Sequence, residues 1–180
     1  MHIHLLGPSG SGVSSLGKLL SETLHIPWFD NDDIFWEKTD PPFTRKRPVE
    51  ERKEILVEID RTNESWILSG SMLVWGDFLR DKMDLIIYLY ADRDTRIKRL
   101  KKREYERFGS RIEKGNDMYE NHRTFIEWAK RYETGGLDVR SRISELTWIE
   151  KADCRVITID QAMELGEELK IVLQSISESE

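Results

Sequence analysis

The stretch Gly7-Pro8-Ser9-Gly10-Ser11-Gly12-Val13-Ser14-Ser15 follows directly on an apolar start, His2-Ile3-His4-Leu5-Leu6. No other part of the chain constrains the fold as strongly. Gly7 and Gly12 meet the spacing G-x-x-x-x-G-K-[ST], and every fixed position agrees except the lysine, where the chain carries Val13. A short strand delivers the chain into a turn whose glycines permit positive φ and close backbone approach. Successive N–H groups can then converge on an anion, and a helix starting near Val13 adds its positive end. Ser14 is placed to offer a hydroxyl to magnesium. The competing reading is a glycine-rich turn with no ligand; the order strand, loop, helix favours phosphate binding.

A chain of 180 residues suits one domain, 1–180, with a small inserted lid. A formal charge of −6 argues against a general nucleic-acid-binding surface. One cysteine, Cys154, excludes an intrachain disulfide and makes a zinc cluster unexpected. No apolar run reaches membrane-spanning length and the start of the chain lacks a charged-then-apolar leader, so a cytoplasmic location is expected. The end, Ser175 to Glu180, reads as a short polar tail.

After the loop, Ser14 to Leu24 reads as a helix with Val13, Leu16, Leu19, Leu20 and Leu24 on one broad face. Val13 then packs inward where a lysine is usual. Lys18 lies one turn past Ser14, but the axial distance is long for its stem, so it reads as a solvated helix lysine. His25 to Phe29 reads as a second strand, ending in Asp30-Asn31-Asp32-Asp33. Carboxylates at a strand's carboxyl end can hold magnesium, orient an acceptor hydroxyl or take its proton. They also make turns and helix caps. Asp40-Pro41-Pro42-Phe43-Thr44-Arg45-Lys46-Arg47-Pro48 is a proline-punctuated cationic loop, and Val49 to Arg61 an amphipathic helix. Trp66-Ile67-Leu68 and Leu85 to Tyr90 are apolar runs of the kind buried parallel strands show. Asp92, after the second of these, reads as part of a helix cap rather than as a magnesium ligand.

From Arg96 to Lys114 there are nine basic and three acidic residues. Arg99, Arg103, Arg107 and Arg111 recur every four residues, with Ile97, Leu100 and Tyr105 expected on the core side. The segment is either a solvated charged helix or a lid whose arginines close over phosphates; the upstream loop favours the lid. Gly109, Gly115, Gly135 and Gly136 supply the breaks that a moving lid needs. A helix over 120–132 with Phe125, Trp128 and Ala129 on its apolar face follows, then a helix from Ile143, a strand from Cys154 to Asp160 and a closing helix over 162–176. Five strands with helices between them predict a three-layer α/β sandwich around a parallel sheet.

The loop, together with WFDNDDIFW, DPPFTRKRP, WILSGSMLVWGD, LIIYLY, RLKKREYERFGSRI and GNDM, resembles a bacterial group related to adenylate kinase. Members of that group are often labelled DNA topology modulation proteins or P-loop ATPases. The resemblance covers most of residues 1–150. It implies the P-loop fold of the shikimate, gluconate and nucleotide kinases, with strand order 2-3-1-4-5 and a helical lid at about 103–142. It assigns Gly7, Pro8, Ser9, Gly10, Ser11, Gly12, Val13, Ser14 and Ser15 to the ATP phosphates. Ser14 and Asp30 fall to Mg2+, and Asp32 to the acceptor hydroxyl. Arg103 and Arg107 are similar to lid arginines, with Arg111, Arg140 and Arg142 less securely placed. A non-lysine residue at the position of Val13 is frequent in that group.

Two functions stand. One is a kinase that moves the γ-phosphoryl group of ATP to an unidentified small-molecule acceptor held near Asp32. The other is a nucleotide-binding switch with weak ATPase activity, since the lysine is absent. The acceptor-side acids and the lid arginines favour the kinase. The aromatic residues Phe35, Trp36, Phe43 and Trp75 shape the acceptor pocket if the fold brings them together. The oligomeric state is not legible.

Overall fold

In the computed structural model, which describes residues 1–178, five parallel strands form one sheet in the order β2-β3-β1-β4-β5. They are β1 (His2–Leu6), β2 (Trp28–Asp30), β3 (Trp66–Ser69), β4 (Leu85–Leu89) and β5 (Arg155–Ile159). The helices are α1 (Val13–Leu24), α2 (Asn31–Phe35), α3 (Val49–Thr62), α4 (Arg93–Phe108), α5 (Tyr119–Lys130), α6 (Arg142–Ile149) and α7 (Leu165–Ser177). Short 3-10 turns occupy Asp77–Lys82 and Gly109–Ile112. The expected fold and strand order are both present.

The two-residue period of a strand sorts the sheet's side chains onto two cores. Ile3, Leu5, Ile67, Leu85, Ile87 and Leu89 meet Val13, Leu16 and Leu20 of α1 and Val172 of α7 on one face. Leu6, Trp66, Leu68, Ile86 and Tyr88 meet Leu56 and Ile59 of α3 and Trp148 and Ile149 of α6 on the other. β4 is buried at all five positions, which is why its sequence is continuously apolar rather than alternating. A small third core joins Ile97 and Leu100 of α4 to Ile126 and Ala129 of α5. No helix among the described residues is long and apolar enough to cross a membrane.

Several boundaries differ from expectation for local reasons. β2 begins at Trp28, not at His25, because His25 takes φ 57° and ends α1 in a left-handed turn. Pro27 has no N–H to give a ladder, although its carbonyl accepts from Ile67 N at 2.8 Å. On α4 the core stripe runs through Arg96, Leu100, Glu104 and Phe108, at intervals of four. Tyr105 stands five positions from Leu100 and is 57% exposed, so it does not face the core. On α5 the buried residues are Ile126 and Ala129, while Trp128 stacks on Phe125 and is 41% exposed. The expected polar tail is helical through Ser177, and its last two positions lie outside the described residues.

Candidate functional site

The loop after β1 reaches the carboxyl edge of the sheet and turns back into α1. Gly7 passes so close to β4 that a Cβ there would collide with the Leu89 carbonyl oxygen. Gly12 occupies the N-cap of α1 at φ 116°, a left-handed conformation open to glycine, and offers no side-chain cap. The first amides of α1 are therefore left without a side-chain acceptor. Ser14 and Ser15 are exposed at this end, and the buried Ser11 hydroxyl has no hydrogen-bond partner among the described residues. These groups together make a cradle with spare donors and a positive dipole end, which fits phosphate. Val13 is 8% exposed and lies in the apolar core, and Lys18 is exposed.

Three guanidinium groups hold the loop by its carbonyls. Arg96, wholly buried, donates to Ser9 O at 3.1 Å from Nη1 and to Ala91 O at 3.1 Å from Nε. Its charge is paired with Glu133. Arg99 approaches Ser11 O at 3.3 Å and Gly10 O at 3.5 Å. Arg140, just before α6, donates to Gly7 O at 2.6 Å and to Glu145 Oε1 at 2.8 Å. Glu145 is fully buried and also accepts from Tyr132 Oη at 2.6 Å, while Tyr132 Oη meets Tyr88 Oη at 2.9 Å. Burial opposes the Arg140 charge, but Glu145 outweighs it and holds the guanidinium protonated. Burial pushes the Tyr132 phenol far above its ordinary range, with the Glu145 carboxylate adding to the effect.

Asp30 and Asp32 stand where β2 runs into α2. Asp30 caps α2, accepting from Asp32 N at 3.0 Å through Oδ1. The Asp32 side chain keeps solvent access, but the protein around it removes enough water to push its carboxyl above the usual aspartate range. Asp30 pushes the same way, while Arg140, Arg103 and Arg107 pull it back. Arg103 in turn is lowered by desolvation and by Arg107, against the attraction of Glu104, Asp32 and Asp30. Asp30, Asp32, Arg103, Arg107 and Arg140 thus share one electrostatic neighbourhood beside the loop. Asp92 is the N-cap of α4, accepting from Thr95 N at 3.0 Å, and hydrogen bonding from the Thr95 side chain, then from its backbone, lowers the Asp92 pKa.

The four aromatic residues do come together: ring centroids lie 5.0 Å apart for Phe35 and Trp36, 6.2 Å for Trp36 and Phe43, and 6.4 Å for Phe35 and Trp75. Arg107 stands over Phe43 at 5.3 Å, and Arg52 of α3 over Phe35 at 4.0 Å. Arg111 leaves the stripe of α4, because the helix ends at Phe108; it bridges Asp40 at 2.9 Å and Asp117 at 3.1 Å. Arg142 lies over the Tyr90 ring at 4.4 Å.

Sequence reading missed Arg96, Glu133, Glu145 and Arg52. For Arg96 a signal existed: it falls four residues before Leu100 and next to Ile97, so a charge occupies the core-facing stripe of the helix. Glu104 repeats that signal eight residues after Arg96, buried and 3.7 Å from His122. No comparable pattern marks Glu133, whose partner Arg96 lies 37 residues away, or Glu145, whose partners Arg140 and Tyr132 are closer in the chain.

Residues 3–124 match the AAA domain family. An uncharacterized protein of Bacillus subtilis, YqaC, is 38% identical over 176 residues, spanning 98% of this chain and 97% of that protein. A cytidylate kinase of Sulfurisphaera tokodaii is 30% identical over 140 residues, covering 71% of this chain and 77% of the relative. Among solved structures, shikimate kinase from Acinetobacter baumannii in complex with shikimate superposes with a TM-score of 0.59 at 16% identity, covering 99% of this chain and 94% of that one. At that identity the likeness speaks for the fold. With the loop, the strand order and these relatives in view, the chain belongs to the P-loop, kinase-like family that the AAA domain match describes.

Proposed function

We propose that this chain is an ATP-dependent phosphotransferase that moves the γ-phosphoryl group to a hydroxyl or phosphate of a small-molecule or nucleotide acceptor. The observation that carries this reading is the convergence of Asp32 with Arg103, Arg107 and Arg140 beside a loop whose helix has no side-chain cap. A protein that only bound a nucleotide would have no use for a carboxyl of raised pKa facing three cations. In this reading Asp32 takes the acceptor's proton as the acceptor oxygen bonds to phosphorus and the bond to the bridging oxygen breaks. Arg103 and Arg107 face the charge on the transferring group, and residues 103–142 act as the lid. The oxygen donors Ser14 and Asp30 suit Mg2+, which when bound neutralises phosphate charge. Asp30 retains one carboxylate oxygen for this after capping α2. The finer placement, with the bacterial relatives of adenylate kinase and a cytoplasmic site of action, is part of the same proposal. The −6 charge favours a small acceptor over nucleic acid.

Val13 favours the second reading, a nucleotide-binding switch. Losing one preorganised cation typically costs about 3–4 kcal/mol of transition-state stabilisation. Calorimetric titration with ATP and magnesium, followed by an ADP-release assay against nucleosides, nucleotides, sugars and hydroxy acids, separates the two. Release stimulated by one acceptor class supports the kinase, and binding without stimulated release assigns the switch. No binding at millimolar nucleotide refutes both. Arg103→Ala and Arg107→Ala are expected to lower turnover more than ATP affinity, and equal losses would argue against a role in the transition state.

A further inference from the structure

We propose that Arg96, backed by Glu133, is a positioning residue that organises the phosphate loop from behind and takes over the shaping role left vacant by Val13. The proposal rests on the nucleotide-binding reading above. In a trans peptide the carbonyl and the following N–H point in opposite directions. Arg96 holds the Ser9 carbonyl at 3.1 Å, so the Gly10 N–H of the same peptide unit is aimed away from α4. Arg99 does the same, less tightly, for the peptide of Ser11 and Gly12. Arg140 pins the loop's first carbonyl, Gly7 O, at 2.6 Å.

Each of the two stronger clamps has its own carboxylate: Glu133 for Arg96 and Glu145 for Arg140. Arg96 is anchored at further points, donating to Ala91 O at 3.1 Å and to Ala129 O at 3.4 Å, with its guanidinium 5.4 Å from the Tyr132 ring. A wholly buried arginine tied to several carbonyls is fixed in direction, which a mobile surface cation is not. An invading amine between the glycines would hold the loop from its phosphate side. Here the hold comes from outside, and the residue at the lysine position is free to join the apolar core as Val13 does. Arg96 therefore acts through the loop amides and does not itself touch the nucleotide.

The test compares the parent chain with Arg96→Met, Arg96→Lys, Glu133→Gln and the double variant Arg96→Met/Val13→Lys. Affinity for Mg-ATP and for inorganic tripolyphosphate, which carries no base, is measured by calorimetry, and folding by thermal unfolding. Arg96→Met is expected to weaken both ligands about tenfold or more, the range seen when a partner that orients a binding group is removed. Arg96→Lys recovers only part, since it keeps the charge and loses the fork. Val13→Lys in the Arg96→Met background restores affinity for both ligands without restoring the melting temperature. Val13→Lys is also measured alone, and its gain in affinity is expected to be larger in the Arg96→Met background than in the parent; a merely structural arginine would give equal gains in both.

Should Arg96→Met fail to fold, Glu133→Gln keeps the guanidinium and removes its counter-charge, and a loss of tripolyphosphate affinity is expected there too. Folded Arg96→Met with parental affinity for both ligands would overturn the inference, as would parental affinity in Glu133→Gln when Arg96→Met does not fold. A double variant that gains no affinity would overturn it as well. A parent chain that binds neither ligand would refute the nucleotide reading and this inference with it, and that outcome is read before any variant is made.

Discussion

Gly17→Ala sets two opposite physical effects against each other in α1, the helix that follows the glycine-rich loop. On an exposed helix surface the change would stabilise the protein by about 1 kcal/mol, because alanine is the better helix former. Gly17 is not on such a surface. A Cβ there would overlap the Ser69 hydroxyl and come within 2.7 Å of Trp28 Nε1 and 3.1 Å of Trp28 Cδ1. Ser69 is fully buried and its Oγ accepts from Trp28 Nε1 at 2.9 Å while donating to Val13 O at 3.3 Å. Turning Ser69 away breaks both bonds at about 1 kcal/mol each, and the remaining overlap with Trp28 adds overpacking strain of about 1–3 kcal/mol. Against a gain of about 1 kcal/mol the balance is a loss of about 2–4 kcal/mol. For a chain of this length each kcal/mol shifts the melting temperature by about 2–4 °C, so a central loss near 3 kcal/mol lowers it by about 6–12 °C. Calorimetry of Gly17→Ala, Ser69→Ala and the double variant measures the coupling directly. The double variant should lose clearly less than the sum of the two single variants, because each single variant already breaks both Ser69 bonds. A Gly17→Ala protein more stable than its parent would refute the packing argument.

Three further outcomes are expected. Val13→Lys should tighten Mg-ATP binding, measured by calorimetry, while lowering stability by about 1–2 kcal/mol because Val13 leaves the apolar core; unchanged affinity in a folded variant would mean that existing cations already fill the lysine's place. Asp32→Asn should reduce acceptor-dependent turnover by about 10²–10⁴ with little change in ATP affinity. In the proposed mechanism the working form of Asp32 is the base, and its pKa is raised, so the parent's rate should fall as pH drops through that pKa and the Asn variant should lack that limb. Glu168 of α7 is buried, and desolvation raises its carboxyl from 4.5 to about 7 against the pull of Arg99. The folded chain therefore holds a proton between those values that the unfolded chain releases, so this group adds stability as pH falls from about 7 to 4.5. Glu168→Gln should raise the melting temperature over the parent at pH 8 and lose that advantage near pH 5; equal shifts at both pH values would contradict the burial argument.

What the sequence made legible was local or periodic. The strand-loop-helix order around Gly7 to Ser15, the inward turn of Val13 and the continuous apolar run of β4 each follow from spacing along a few residues. The alternation that assigns Ile3 and Leu5 to one core and His4 and Leu6 to the other is equally local. Errors arose where a long-range partner reverses a local preference. Trp128 looked like a core residue by type and spacing, yet it remains exposed beside Phe125 while Ile126 takes the core position. Arg96 read as one more cation of the basic segment, and Glu133 and Glu145 drew no reading. The burial of Arg96 goes with a pairing across 37 residues to Glu133, and Arg140 reaches a loop carbonyl 133 residues away. Arg111 looked like the next step of a helical stripe; the helix stops three residues earlier and releases it to Asp40.

These misplacements change how the basic segment is understood. Some of its arginines were expected to close over phosphate, Arg103 and Arg107 first among them, and the fold gives the others different partners. Arg96 is spent on the backbone of the loop, buried and neutralised by Glu133, and contributes shape rather than free charge. Arg103 and Arg107 remain exposed, and their charges pull the Asp32 carboxyl down against its desolvation. A cation locked to a carboxylate adds little net field at the phosphates, because the pair's charges largely cancel beyond a few ångströms. Whatever charge the missing lysine would have supplied must therefore come from the second set, while the geometry it would have imposed comes from the first. The lysine of an ordinary phosphate loop performs both tasks with one side chain; in the reading proposed above they fall to separate residues on a single helix, and mutations in the two sets should separate shape from charge.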